Sequence, residues 1–214
     1  MPNYVSNTFT IEGLTKSEKL KIEEDIKNGN LFNSIVPEPN WLLIPNEDGD
    51  LPQEVQRDTF TYREWPNGSQ DDRWYQWRCD HWGCKWPESD FILNEGNDEC
   101  VDVIFNTAWS QPTEFTTALT KQYPHAKISN IFIEESDWFG GCIAFNGKSH
   151  TWEFDKEKIV LEWLKENHPE IKCWGDIYED EDVSEEFFEA EEDLYFAFIE
   201  KQFDAYKGSM FKAS

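Results

Sequence analysis

Positive charge is what this sequence has least of. Its 19 Lys and Arg residues face 44 Asp and Glu, which leaves a formal net charge of −25. Binding phosphates takes a basic footprint, so DNA, RNA and anionic membranes are excluded as direct ligands. Long apolar runs are also missing: none approaches the roughly 20 residues of a membrane span. The opening residues, MPNYVSNTFT, have neither a basic nor an apolar region, so no secretory signal is expected. Cysteine is sparse and irregular. Cys79, Cys84, Cys100, Cys142 and Cys173 are odd in number and unevenly spaced, which reads as reduced thiols in a cytoplasmic protein. No G-x-S-x-G, H-E-x-x-H, Walker or dinucleotide-binding glycine pattern occurs. His81, His125, His150 and His168 have no local partner, and carboxylates are too abundant for any pair of them to signal acid–base chemistry. No catalytic residue, metal or cofactor is expected.

What is present is aromatic. Eleven Trp and 16 Phe argue against disorder, since disordered chains lack such residues. A chain of 214 residues can bury a real core as one large domain, or as a compact domain with an appendage.

Val101, Val103 and Phe105 alternate with Asp102, Ile104 and Asn106, the period of a strand. Ser110 and Pro112 follow as a helix-start signal, so a strand is expected to run through Thr107-Ala108-Trp109 into a helix over 112–123. Before it, residues 4–12 read as a first strand. A helix follows, opened by a Thr15/Glu18 capping box, striped by Leu20, Ile22 and Ile26, and stopped at Asn28-Gly29. Prolines break up residues 31–72, which are expected to be a structured insertion, with Trp41–Ile44 a short buried strand or turn. Arg73–Trp86 carries a helix ended by Gly83. Strands follow at 128–134, 142–145 and 149–154, with Gly140-Gly141 between the first two and an Asn146-Gly147 hairpin turn between the last two. The pattern is α+β, a sheet with helices on one face, over residues 1–154.

Residues 155–214 change character. Asp155 opens a helix with Ile159, Val160, Trp163 and Leu164 on one side, ended at His168-Pro169. Residues 176–193 hold eleven acidic side chains and no basic one. A long terminal helix is expected there, with Leu194, Tyr195, Phe198, Ile199, Phe203 and Tyr206 continuing an aromatic stripe that docks on the body or on a partner.

Two short boxes carry a resemblance. Trp82-Gly83-Cys84-Lys85-Trp86 resembles a W-G-T-K-W box, with Cys84 in place of Thr. Phe105-Asn106-Thr107-Ala108-Trp109-Ser110-Gln111-Pro112 resembles an F-x-T-A-W-S-P-P box, with Gln111 in place of the first Pro. With the following helix, an acidic strand and Phe139-Gly140, they are similar to the YubB-like ferredoxin-like domain of plasmid- and phage-borne proteins, over roughly residues 4–154. The resemblance implies a ferredoxin-like antiparallel sheet with helices on one face, here extended by acidic C-terminal helices, and a mobile-element origin. It supplies no catalytic residue.

Three groups are candidate sites. Cys79, His81 and Cys84 are good zinc ligands but lack a fourth, so a helix end with incidental thiols is the favoured reading. Trp82, Lys85, Trp86 and Trp109 form either a ligand pocket or rigid core, and core is the commoner use of such rings. The acidic run Glu179, Asp180, Glu181, Asp182, Glu185, Glu186, Glu189, Glu191 and Glu192 is either a solvated face or a decoy for a cationic groove. The expectation is a non-catalytic phage or plasmid accessory protein in the host cytoplasm. It inhibits a basic nucleic-acid-handling defence protein, such as a CRISPR effector or restriction complex, by nucleic-acid mimicry. The alternative is a small enzyme or ligand-binding domain built on the tryptophan region.

Overall fold

The computed structural model describes residues 3–58, 60–86, 89–94, 100–134, 139–153, 156–173, 175, 177, 182–187, 189–191, 193–194, 197–198 and 201. The first strand, β1 (Tyr4–Glu12), leads into α1 (Lys16–Lys27), α2 (Leu31–Ile35) and a 3-10 turn at Trp41–Leu43. A hairpin of β2 (Gln53–Arg57) and β3 (Phe60–Glu64) follows, then α3 (Arg73–Trp82). The rest runs β4 (Ser89–Asn94), β5 (Cys100–Ala108), α4 (Thr113–Gln122), β6 (Lys127–Glu134), β7 (Phe139–Phe145), β8 (Lys148–Glu153) and α5 (Lys156–Asn167).

Six strands form one antiparallel sheet in the order β4-β5-β1-β6-β7-β8. The pairs β1/β4 and β5/β6 each run parallel with one strand between them. Their helical connections make two interleaved split βαβ units, the ferredoxin-like arrangement. The fold is therefore α+β and ferredoxin-like, with β7–β8 widening the sheet.

Alternation decides which side chains go inward. Phe9, Ile11, Val101, Val103, Phe105 and Ile128 share the face covered by α1, α2 and α4, and pack with Ile22, Ile26, Phe115 and Leu119. Leu31 and Phe32, at the start of the expected insertion, belong to this core. On the opposite face, Ile131, Ile133 and Phe139 are covered by Ile159 of α5 and by Phe198.

The capping box of α1 forms as expected: the Glu18 carboxylate accepts from the Thr15 backbone N–H at 2.8 Å. The Thr15 hydroxyl, then the Thr15 N–H and His125, draw the Glu18 pKa down to about 2 from 4.5. A carboxyl depressed on folding contributes stability that is complete above the unfolded pKa and fades as pH falls. Glu18→Gln is expected to flatten acid destabilisation between pH 4.5 and 2, measured as urea midpoint against pH; an unchanged slope contradicts this.

Several expectations are corrected. Leu20 is 57% exposed, on the outer side of α1, leaving Ile22 and Ile26 as its buried stripe. Ser110 does not cap α4: its hydroxyl donates to the Gly83 carbonyl, and Pro112 stands at the cap position. Gly140 and Gly141 lie inside β7 rather than between strands. A Cβ on Gly141 would fall 2.7 Å from the Trp152 ring, so the strand passes under that indole only without side chains. The β2–β3 hairpin and β4 were not expected. Asp155, the expected cap of α5, lies outside the described residues. Among the described residues, no helix is long and apolar enough to cross a membrane.

Candidate functional site

The two tryptophan boxes meet at Gly83. It ends α3 in the left-handed region at φ 82°, and a Cβ there would fall 2.9 Å from the Thr113 nitrogen. Only glycine meets both demands. Ser110 closes the junction through its bond to the Gly83 carbonyl, and the Thr107 hydroxyl donates to the Ser110 carbonyl at 2.8 Å.

This junction sorts the rings. Trp82 is core, its indole N–H donating to the Val36 carbonyl at 3.0 Å and its ring edge-on to Phe32. Cys84 is also buried, with its thiol donating to the Trp86 carbonyl. Trp86 and Trp109 are not core, contrary to the favoured reading: they are 37% and 48% exposed. The Trp109 backbone is left-handed, at φ 72°, with the indole exposed and the main-chain N–H donating to the Asn3 carbonyl. Holding a bulky side chain in that conformation costs on the order of 1–3 kcal/mol.

The Lys85 ammonium lies over three rings, 4.3 Å from the centroid of Trp109, 4.4 Å from Trp86 and 5.6 Å from Tyr75. Tyr75, itself 36% exposed, stands edge-on to Trp109 at 6.2 Å. Its hydroxyl neighbours Cys79, whose charge raises the phenol pKa above its ordinary value. An exposed cation–π contact is worth about 0.5–1 kcal/mol. Ordering a lysine side chain costs up to about 2 kcal/mol. Three such contacts come to about 1.5–3 kcal/mol, close to the ordering cost, so Lys85 is held by a small net margin.

Beside this cluster, a cleft of about 390 Å³ opens between the β2–β3 hairpin and α3, with Tyr62, Arg63, Trp74, Arg78 and Trp86 among its lining residues. All four arginines of the chain, Arg57, Arg63, Arg73 and Arg78, fall in this region. Two of them are structural. Arg73 forks onto Asp71 at 2.8 and 3.0 Å, donates to the Ile44 and Pro45 carbonyls, and lies over Trp41 and Trp65. Burial raises the Asp71 pKa, but the hydrogen bonds from Arg73 outweigh it and the net direction is down. Arg78 binds Glu38 between the rings of Trp74 and Trp82.

The Cys79, His81 and Cys84 trio does not converge. His81 stacks on Trp77 and engages the Trp77 carbonyl, while the Cys84 thiol is committed to the backbone. Among the described residues, no group of three or more His, Cys, Asp or Glu is placed to hold a metal. Burial pushes the Cys100 and Cys142 thiols up to about 11, which keeps both protonated at neutral pH.

The acidic segment packs on α5. Its described residues from 182 to 187 are helical, as are the described residues between 189 and 201. Val183 and Phe187 are buried against Val160, Trp163, Leu164 and Ile177, with Phe187 5.4 Å from Trp163. Asp182, Glu185, Glu186 and Glu189 are all exposed, while Glu191 is half-buried. His168 at the end of α5 contacts the Glu186 carboxylate at 3.1 Å. Glu179, Asp180, Glu181 and Glu192 lie outside the described residues, as do Tyr195, Ile199, Phe203 and Tyr206.

Sequence reasoning missed Tyr75 as the third ring over Lys85. No spacing rule links Tyr75 to Trp109; the two meet only because Gly83 and Ser110 join their elements.

A family model described as the ferredoxin-like domain in Api92-like protein matches residues 81–197, more than half of the chain. No curated protein matches it. Among solved structures, the crystal structure of protein api92 from Yersinia pseudotuberculosis matches with 14% identity and a TM-score of 0.33. That match covers 40% of this chain and 32% of the other, so it spans about a third of that protein's length. On the family match, the chain belongs to the family of ferredoxin-like domains found in Api92-like proteins.

Proposed function

We propose that this protein is a non-catalytic accessory protein that binds a basic, nucleic-acid-handling partner through the outer face of its C-terminal helix. One observation carries the reading. Val183 and Phe187 spend the helix's apolar side on α5 of the same chain, which leaves Asp182, Glu185, Glu186 and Glu189 as an exposed carboxylate surface. A rigid array of carboxylates offers a cationic groove what a phosphate backbone offers it. The formal net charge of −25 speeds encounter with such a groove. The target class we infer is host defence machinery, a CRISPR effector or restriction complex, whose nucleic-acid channel the acidic face occupies. The likeness of the WGCKW and FNTAWSQP boxes to YubB-like proteins of plasmids and phages supports that choice.

The test is capture of host proteins on the immobilised full chain. A nucleic-acid-binding protein is expected to be retained at low ionic strength and released as salt rises, because screening acts most strongly on exposed charges. Retention of nothing basic, or retention indifferent to salt, overturns the reading.

A further inference from the structure

The ring cluster around Lys85 has no part in the acidic-face reading and stands whether or not that reading survives. Three aromatic faces converge on one ammonium, at 4.3, 4.4 and 5.6 Å, and all three rings are more than a third exposed. Exposed tryptophan in a left-handed backbone is unfavourable on both counts. Asn or Gly in that position would relax the main chain and remove an apolar surface from water. The cost is instead borne, and what it secures is an indole facing Lys85.

From this geometry we propose that Tyr75, Trp86 and Trp109 form a binding cage for an alkylated ammonium cation, with Lys85 as its exchangeable resident. A primary ammonium carries three N–H donors and is strongly hydrated, so it gives up water contacts when it sits on ring faces. A quaternary ammonium has no N–H to satisfy and presents methyl groups to the rings, which is why aromatic cages select it. Such a ligand displaces Lys85, and the lysine stem swings to solvent with little loss. The excess of carboxylates on the molecule raises the local concentration of any cation. The same head group occurs on free choline-like molecules and on trimethylated lysine of a protein, and the test separates the two.

The experiment is a titration of the full chain with choline, with a short peptide carrying Nε-trimethyllysine, and with the neutral tert-butyl analogue of choline, followed by calorimetry at constant ionic strength. Saturable binding of at least one cation is expected, and none of the neutral analogue. Lys85→Ala removes the competitor and is expected to tighten the cation by about two- to fivefold, the worth of an exposed cation–π contact. Trp109→Leu is expected to abolish binding. Should that variant not keep the wild-type circular dichroism spectrum, Trp86→Leu serves in its place. Preference for choline assigns a small-molecule ligand, and preference for the peptide assigns a modified protein. The proposal is overturned if neither the wild type nor Lys85→Ala binds either cation, if the neutral analogue binds equally well, or if the ring variant binds unchanged.

Discussion

Replacing Phe32 by alanine is expected to cost about 3–5 kcal/mol of folding stability. The residue lies on the short helix α2, at the start of the proline-broken segment, yet it is buried. It stacks on Phe115 of α4 at 3.9 Å with the planes 7° apart, and meets Trp82 and Phe105 edge-on at 5.8 and 6.0 Å. Removing it leaves a cavity where α2, α3, α4 and β5 converge, among the rings of Phe115, Trp82 and Phe105. Domains of this kind have about 5–15 kcal/mol in all, so the variant sits near the edge of folding. Urea unfolding followed by fluorescence checks this, with a lower midpoint and an unchanged slope expected. A loss below about 1 kcal/mol would mean that α2 is a surface appendage, since surface substitutions usually stay within about half a kcal/mol.

The second large effect concerns binding. Combining Asp182→Lys, Glu185→Lys, Glu186→Lys and Glu189→Lys is expected to slow association with a basic partner by about 10- to 1,000-fold at low ionic strength, the range of electrostatic steering. The difference shrinks as salt is added. All four side chains are exposed, and the buried Val183 and Phe187, which hold the helix on α5, are untouched. Two local costs accompany the change. Acidic residues are lost from the start of a helix, where they are favourable, and the His168 contact with Glu186 is broken. Circular dichroism separates these from lost recognition. Unchanged association by a folded variant would place the partner surface elsewhere.

How much of this was legible beforehand follows from what periodicity encodes. The Thr15/Glu18 box, the α4 stripe of Phe115 and Leu119, and the Asn146-Gly147 turn, with φ of 49° and 72°, are local patterns that act locally. The β2–β3 hairpin was not legible because none of its positions is buried: Val55, Tyr62, Arg63 and Glu64 are only half-covered, so no alternation marks it. β4 escaped notice as an edge strand whose Ile92 is exposed and whose pairing with β5 shifts register between Ser89 and Ile92. Gly140-Gly141 resembles a turn but is demanded by Trp152, a residue two strand-lengths later and invisible to any short window. At the candidate sites the same division holds. The acidic run is plain in composition, but the expected apolar stripe begins only at Leu194, and the docked pair Val183 and Phe187 sits inside the acidic run where the charges mask it. The exposed Trp109 has a backbone conformation that tryptophan rarely adopts, and no residue type signals it.

Competition with nucleic acid tests the central claim most directly. With the captured basic protein purified and loaded with a fluorescent oligonucleotide, the chain is titrated in and anisotropy is followed at two ionic strengths. Mimicry predicts stoichiometric release of the oligonucleotide by the wild type, weaker release at high salt, and none by the four-lysine variant. A ternary complex in which oligonucleotide and chain stay bound together would contradict it.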